Sequence, residues 1–288
     1  MLGQQKVQRV VKKIKNEKER NMFLGEPQQS QYDWRFQLFG FPVRVTWLFW
    51  AVSAALGYNL AMNFQFRYAQ EGIDVQLWLL LLVWVGVTFT SILVHELGHA
   101  LAFRYFGIES EIVLYQMGGL AIPGAGMIWG RKGRRRSLTH MDQIIVSAAG
   151  PLIQLLLAAA VGVSATLCGV FVSEFLWLAD LLEIQVSRPR NPLTTASIHF
   201  MVTSSIWWAV INLIPIYPLD GGQIAQHVIG IFRRTNGLIE AQTLGAIVGV
   251  LAALWFQSRG MTFNAIFFAS MALSNFQALQ SNNGSRFW

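Results

Sequence analysis

Residues 91–103 read SILVHELGHALAF. They close an apolar run, LWLLLLVWVGVTFT (77–90), that contains no charged residue. Titratable groups at the end of a run long enough to cross a bilayer are costly, and those that occur there are usually functional. Here His95, Glu96 and His99 stand together. HELGH is an HExxH pattern. Its four-residue spacing puts both imidazoles on one helix face, one turn apart, where they can hold a single Zn2+ ion. Glu96, next to the first histidine, can reach a water at such a metal and act as general base. HExxH alone arises often by chance; its position at the end of an apolar run gives it weight.

The rest of the chain sets that run in a membrane. Of 288 residues, 53% are hydrophobic and only 13% charged, against about a quarter charged in soluble domains. A helix needs about 20 apolar residues to cross the hydrocarbon core. Six ranges qualify as expected spans: 45–66, 77–105, 143–172, 197–216, 237–256 and 261–280. Gly150-Pro151 in the third should kink it or mark a close helix contact. The fold class expected is an all-α polytopic membrane protein of about six transmembrane helices. A polar tail (1–44) would precede a membrane-embedded domain (45–280, with its core near 77–222), and a short tail (281–288) would follow.

Charge gives the orientation. Nine of the 22 Lys and Arg residues precede residue 45, and five more lie in RKGRRR (131–136). The loops on the other side would hold only Arg67, Arg188, Arg190 and Arg259. The positive-inside rule then places both termini and the HExxH end in the cytoplasm, in a plasma or inner membrane. No cleavable leader is expected, because the first apolar run begins after about 40 polar residues. KVQRVVKKIKNEKER (6–20) spaces Val7, Val10, Val11 and Ile14 on one helical face. That suits an anionic lipid surface, as does RKGRRR, and equally a solvated basic tail. Nucleic acid is not expected, since the basic cluster sits in a short loop between spans. Cys168, the only cysteine, excludes a disulfide within the chain.

A catalytic zinc needs a third protein ligand. Far downstream the chain reads NLIPIYPLDGG (212–222). Pro215 and Pro218 should break the helix there, and Gly221 and Gly222 should allow a sharp turn around Asp220. In the orientation above, Asp220 and HExxH lie toward the same side and can converge on one ion. An ordinary Asp-Gly turn at a helix exit is the competing reading. At the level of function, a metal-ion transporter or a catalytically silent scaffold remain as alternatives. A transporter would want further carboxylates along its spans, and these are scarce here.

HELGH paired with NLIPIYPLDGG resembles the site-2 protease family of intramembrane zinc metalloproteases. The match to the family pattern runs through Asn212, Pro215, Leu219, Asp220 and Gly221, with AAGP (148–151) and MGGLAIPG (117–124) as lesser features. The resemblance covers roughly residues 45–235, including a three-helix catalytic core. It implies that His95, His99 and Asp220 bind one zinc per chain, that Glu96 activates water, and that Asn212 positions substrate or stabilises the oxyanion. The implied reaction is hydrolysis of a peptide bond in or near the transmembrane helix of a single-span membrane-protein substrate. MGGLAIPG has the makings of a short membrane-associated strand that an extended substrate could join. Loop 173–196 and tail 281–288 are too short for the regulatory domains of some family members, so a regulatory partner is expected instead.

Overall fold

The computed structural model describes residues 28–116, 118–124, 138–189 and 191–284. The basic stretch 6–20 and the RKGRRR loop lie outside these residues. The described chain is mostly helical, in the order β1 (Trp34–Leu38), β2 (Phe41–Val45), α1 (Trp47–Gln70), α2 (Leu77–Tyr105), β3 (Ser110–Tyr115) and β4 (Gly118–Pro123). It continues through α3 (His140–Leu167), a short α4 (Leu176–Leu181), α5 (Pro192–Asn212), α6 (Asp220–Arg233), α7 (Leu238–Ser258) and α8 (Thr262–Gly284).

Long helices occupy all six ranges expected to span. Of these, α2, α3 and α7 combine the length and the apolar run needed to cross a membrane. The other three are interrupted by polar side chains: Asn59, Asn63 and Arg67 in α1, Thr194, Thr195 and His199 in α5, Asn264 and Asn275 in α8. Six spans are therefore an expectation that three helices meet by length and composition.

An all-α description needs correcting. Four strands form one sheet in the order β1-β2-β3-β4. β1 and β2 make a hairpin closed by Leu38↔Phe41. Its two-residue loop, Phe39 and Gly40, has positive φ at both positions (49° and 80°), the turn whose twist matches paired strands. β2 then runs parallel to β3 (Val43↔Ile112), and β3 pairs antiparallel with β4 (Ile112↔Ala121). The cause is visible in the residues: Trp34, Phe36, Leu38 and then Phe41, Val43, Val45 alternate with period two. Residues 34–45, at the end of the segment read as a polar tail, thus belong to the folded body. Phe41, Val43, Val45, Ile112 and Leu114 pack against Phe49 of α1 and Ile92, Leu93 and Ala100 of α2.

Two features position the helices that matter. Thr139 and Asp142 form a reciprocal capping box that fixes the start of α3. Farther along, α2 and α3 touch through glycines. A Cβ on Gly98 would lie 2.6 Å from the Ala149 carbonyl oxygen, and one on Gly150 would collide with the His99 ring. Pro151 remains inside α3, so the Gly-Pro pair marks a close helix contact.

Candidate metal centre

The second half of α2 turns one face inward, and His95, Glu96 and His99 are all buried on it. α5 ends at Asn212, ahead of Pro215, and the chain re-enters a helix at Asp220. Gly221 and Gly222 are part of that helix. The expected sharp turn is not their role: a Cβ on either would strike the backbone of residues 213–217. They let the first turn of α6 press against the preceding segment, which brings Asp220 to α2.

The result is a triangle of ligating atoms. Asp220 Oδ2 lies 3.1 Å from His95 Nε2, and Asp220 Oδ1 lies 3.3 Å from His99 Nε2. The two Nε2 atoms are 3.1 Å apart. Two ligands each 2.0–2.1 Å from a tetrahedral zinc lie roughly 3.3 Å from one another. The triangle therefore matches one face of such a tetrahedron without rearrangement. Among the described residues these three form the one cluster of His, Cys, Asp or Glu side chains close enough to share an ion.

The outer nitrogens are also occupied. His99 Nδ1 donates to the Val146 carbonyl at 2.7 Å, and His95 Nδ1 lies 2.9 Å from Gln154 Oε1. Metal-bound histidines are oriented by such contacts on the far nitrogen. Burial by itself would raise the Asp220 carboxyl, but the His99 and His95 rings outweigh it and hold the group down at about 2. Asp220 is thus an anion, placed where the helix N-terminus also favours one.

Glu96 lies on the same cavity, of about 320 Å³, together with the three ligating residues. Its carboxylate accepts the Ala121 N–H from β4 and packs where a Cβ on Gly119 would be. Gly124 N–H pairs with Glu109 O. By strand alternation the main-chain groups of Gly119, Ala121 and Pro123 then point away from β3. β4 is the sheet's edge strand, and its free edge borders the cavity. The expectation of a strand in MGGLAIPG is met over Gly118–Pro123.

Asn212 also lines the cavity, and one N–H of its amide donates to Trp208 O at 3.0 Å. Tyr115 stands nearby as a neutral phenol, pushed up to about 12 by burial and by the Glu96 carboxylate. His140, His199 and His227 do not join the triangle. His227 pairs with His140, Nδ1 to Nδ1, at 3.0 Å. The ring of His199 packs on Phe64.

Sequence reasoning passed over two residues at the site. Gln154 carried a readable signal, an amide inside the apolar run of the third expected span. Met271 of α8 lines the cavity from a helix remote in sequence, and nothing local marks it. Asn275, one turn on, donates to Tyr217 O and so ties α8 to the segment that carries Asp220.

The profile of peptidase family M50 matches residues 83–256. A candidate zinc metalloprotease of Synechocystis sp. is 28% identical over 222 residues, 75% of this chain and 49% of that one. The zinc metalloprotease of Methanocaldococcus jannaschii is 23% identical over 167 residues, 58% of this chain and 39% of that one. The chain thus spans about half, or less, of the length of these relatives. Among solved structures, a site-2 protease from Methanocaldococcus jannaschii aligns with a TM-score of 0.43 at 18% identity, over 87% of this chain and 94% of that one.

Proposed function

Because the chain belongs to peptidase family M50, whose profile covers more than half of it, we propose that it is a zinc-dependent endopeptidase that cuts within the membrane. The observation that carries this is the tetrahedron-sized triangle of His95, His99 and Asp220 with Glu96 on the same cavity. A zinc held there would supply Lewis acidity to the scissile carbonyl and to a water. Glu96 takes the proton of that water and returns it to the leaving amine. The second N–H of the Asn212 amide is the donor we assign to the developing oxyanion.

The substrate we assign is a single-span membrane protein. A helix hides its carbonyls in hydrogen bonds, so the substrate must unwind before it can be hydrolysed, and its bare backbone then needs partners. The outward groups of Gly119, Ala121 and Pro123 offer them, so that the unwound segment joins the sheet as a fifth strand. Both termini and the site face the cytoplasm in this reading, supported by the bias of Lys and Arg. The basic stretches 6–20 and 131–136 would meet anionic lipid. A partner would regulate access. The transporter reading is weaker, because the described residues hold one such ligand cluster and no second station for a passing ion.

Zinc content of the detergent-purified protein tests the reading without a substrate. We expect about one zinc per chain, lost or weakened in both His95→Ala and Asp220→Ala. A folded wild-type chain that takes up no zinc would overturn it. Cleavage of candidate membrane proteins, with Glu96→Gln as control, separates protease from scaffold.

A further inference from the structure

We infer that Gln154 is the positioning residue of His95, holding it in the tautomer that presents Nε2 to the metal. The inference rests on the zinc reading above and adds a residue to it. His99 and His95 are oriented by different means. His99 Nδ1 faces the main-chain carbonyl of Val146, which can only accept, so that nitrogen carries the proton. His95 Nδ1 faces a carboxamide, which can offer either a donor or an acceptor.

A neighbour decides which. The far end of the Gln154 amide lies 2.8 Å from Ser91 Oγ and 3.4 Å from the Ser91 main-chain carbonyl. That carbonyl accepts only, so the amide nitrogen faces it. The amide oxygen then faces His95 at 2.9 Å, Nδ1–H donates to it, and Nε2 keeps its lone pair for the ion. The hydroxyls follow in order. Gln154 donates to Ser91 Oγ, Ser91 donates to Ser205 Oγ at 2.8 Å, and Ser205 donates to Met201 Sδ at 3.9 Å. Every donor points the same way along a chain that runs from α2 through α3 to α5. Gln154 and Ser205 are fully buried and Ser91 nearly so, so bulk water does not compete for these bonds.

The test measures zinc affinity in detergent by chelator competition, with the Co2+ absorption spectrum and the unfolding midpoint of the metal-free protein alongside. Gln154→Leu should weaken zinc about 10–100-fold and alter the Co2+ spectrum. Gln154→Glu keeps a carboxyl oxygen for the His95 Nδ1–H and should restore affinity to within a few-fold. A glutamine that served packing alone would not separate Leu from Glu in this way. If Gln154→Leu does not fold, Ser205→Ala leaves the amide in place but loosens its anchor, and a several-fold loss is expected. Wild-type affinity in Gln154→Leu, or in Ser205→Ala where it stands in, overturns the inference, as does equal weakness of the Leu and Glu variants. Both outcomes leave the zinc reading standing. Absence of zinc from the wild-type chain overturns both.

Discussion

Asp220 Oδ2 and His95 Nε2 lie 3.1 Å apart across 125 residues of chain. The contact joins the first turn of α6 to the inner face of α2. It depends on two glycine contacts, α2 against α3 and α6 against the segment before it. The site is therefore only as well formed as the packing of those backbones.

Removing the carboxylate should undo the centre. Asp220→Ala is expected to lower zinc affinity by about 100-fold or more, beyond the 10–100-fold typical of losing an outer-shell contact. Equilibrium metal titration of the purified variant checks this. Asp220→Glu, one methylene longer, should recover part of the loss.

Glu96→Gln separates binding from turnover. The amide keeps the size of the carboxylate but cannot take a proton. Zinc content should stay at about one per chain, while cleavage falls by about 10²–10⁴, the usual contribution of a general acid–base. A parallel loss of zinc would show that Glu96 holds the site together instead.

Gly150→Ala places a methyl against the His99 ring. Relief requires α2 and α3 to part or the ring to leave its bond with Val146. We expect a loss of about 1–3 kcal/mol in stability, as for overpacking generally, together with weaker zinc binding. Denaturant unfolding and metal titration of the same sample check both.

Ala121→Pro removes the N–H that holds Glu96. That N–H points away from β3, so the ladder keeps its bonds, and proline is tolerated at a sheet edge. Zinc binding should be unchanged while the cleavage rate falls about tenfold or more, by analogy with deleting a single donor in other active sites.

Arg44 tests the hairpin. It is almost fully buried, 3.3 Å from Asp33 and 3.8 Å from Glu111. Arg44→Ala would strand a buried Asp33 and should cost about 3–5 kcal/mol, as when one partner of a buried pair is removed. The unfolding midpoint of the variant reads this. Pairing it with Asp33→Asn should recover much of the loss.

The site was readable in advance where its chemistry is local. His95 and His99 share a helix face because they are four residues apart, and the prolines ahead of Asp220 mark where a helix must stop. Gln154 and Met271 were harder, since each reaches the site from a helix distant in sequence. The sheet was missed for another reason. Its strands are five or six residues long, and β2 carries a buried arginine in place of a clean apolar alternation. The surrounding hydrophobic runs are much longer and dominate any windowed reading. Of the six expected spans, the three that α1, α5 and α8 occupy were drawn on length, although their polar residues dilute them.

Ala121 has a single N–H, and Glu96 already holds it. An incoming strand that pairs along the β4 edge must therefore skip that position or take the proton donor away from the acid. In the first case the register of docking is dictated by one residue, which narrows where along a substrate the cut can fall. In the second, docking itself releases Glu96, and the resting protein keeps its base parked until a chain arrives. Either way, occupancy of the edge and freedom of the acid are interlocked, so mutations along β4 should move substrate affinity and catalytic rate together.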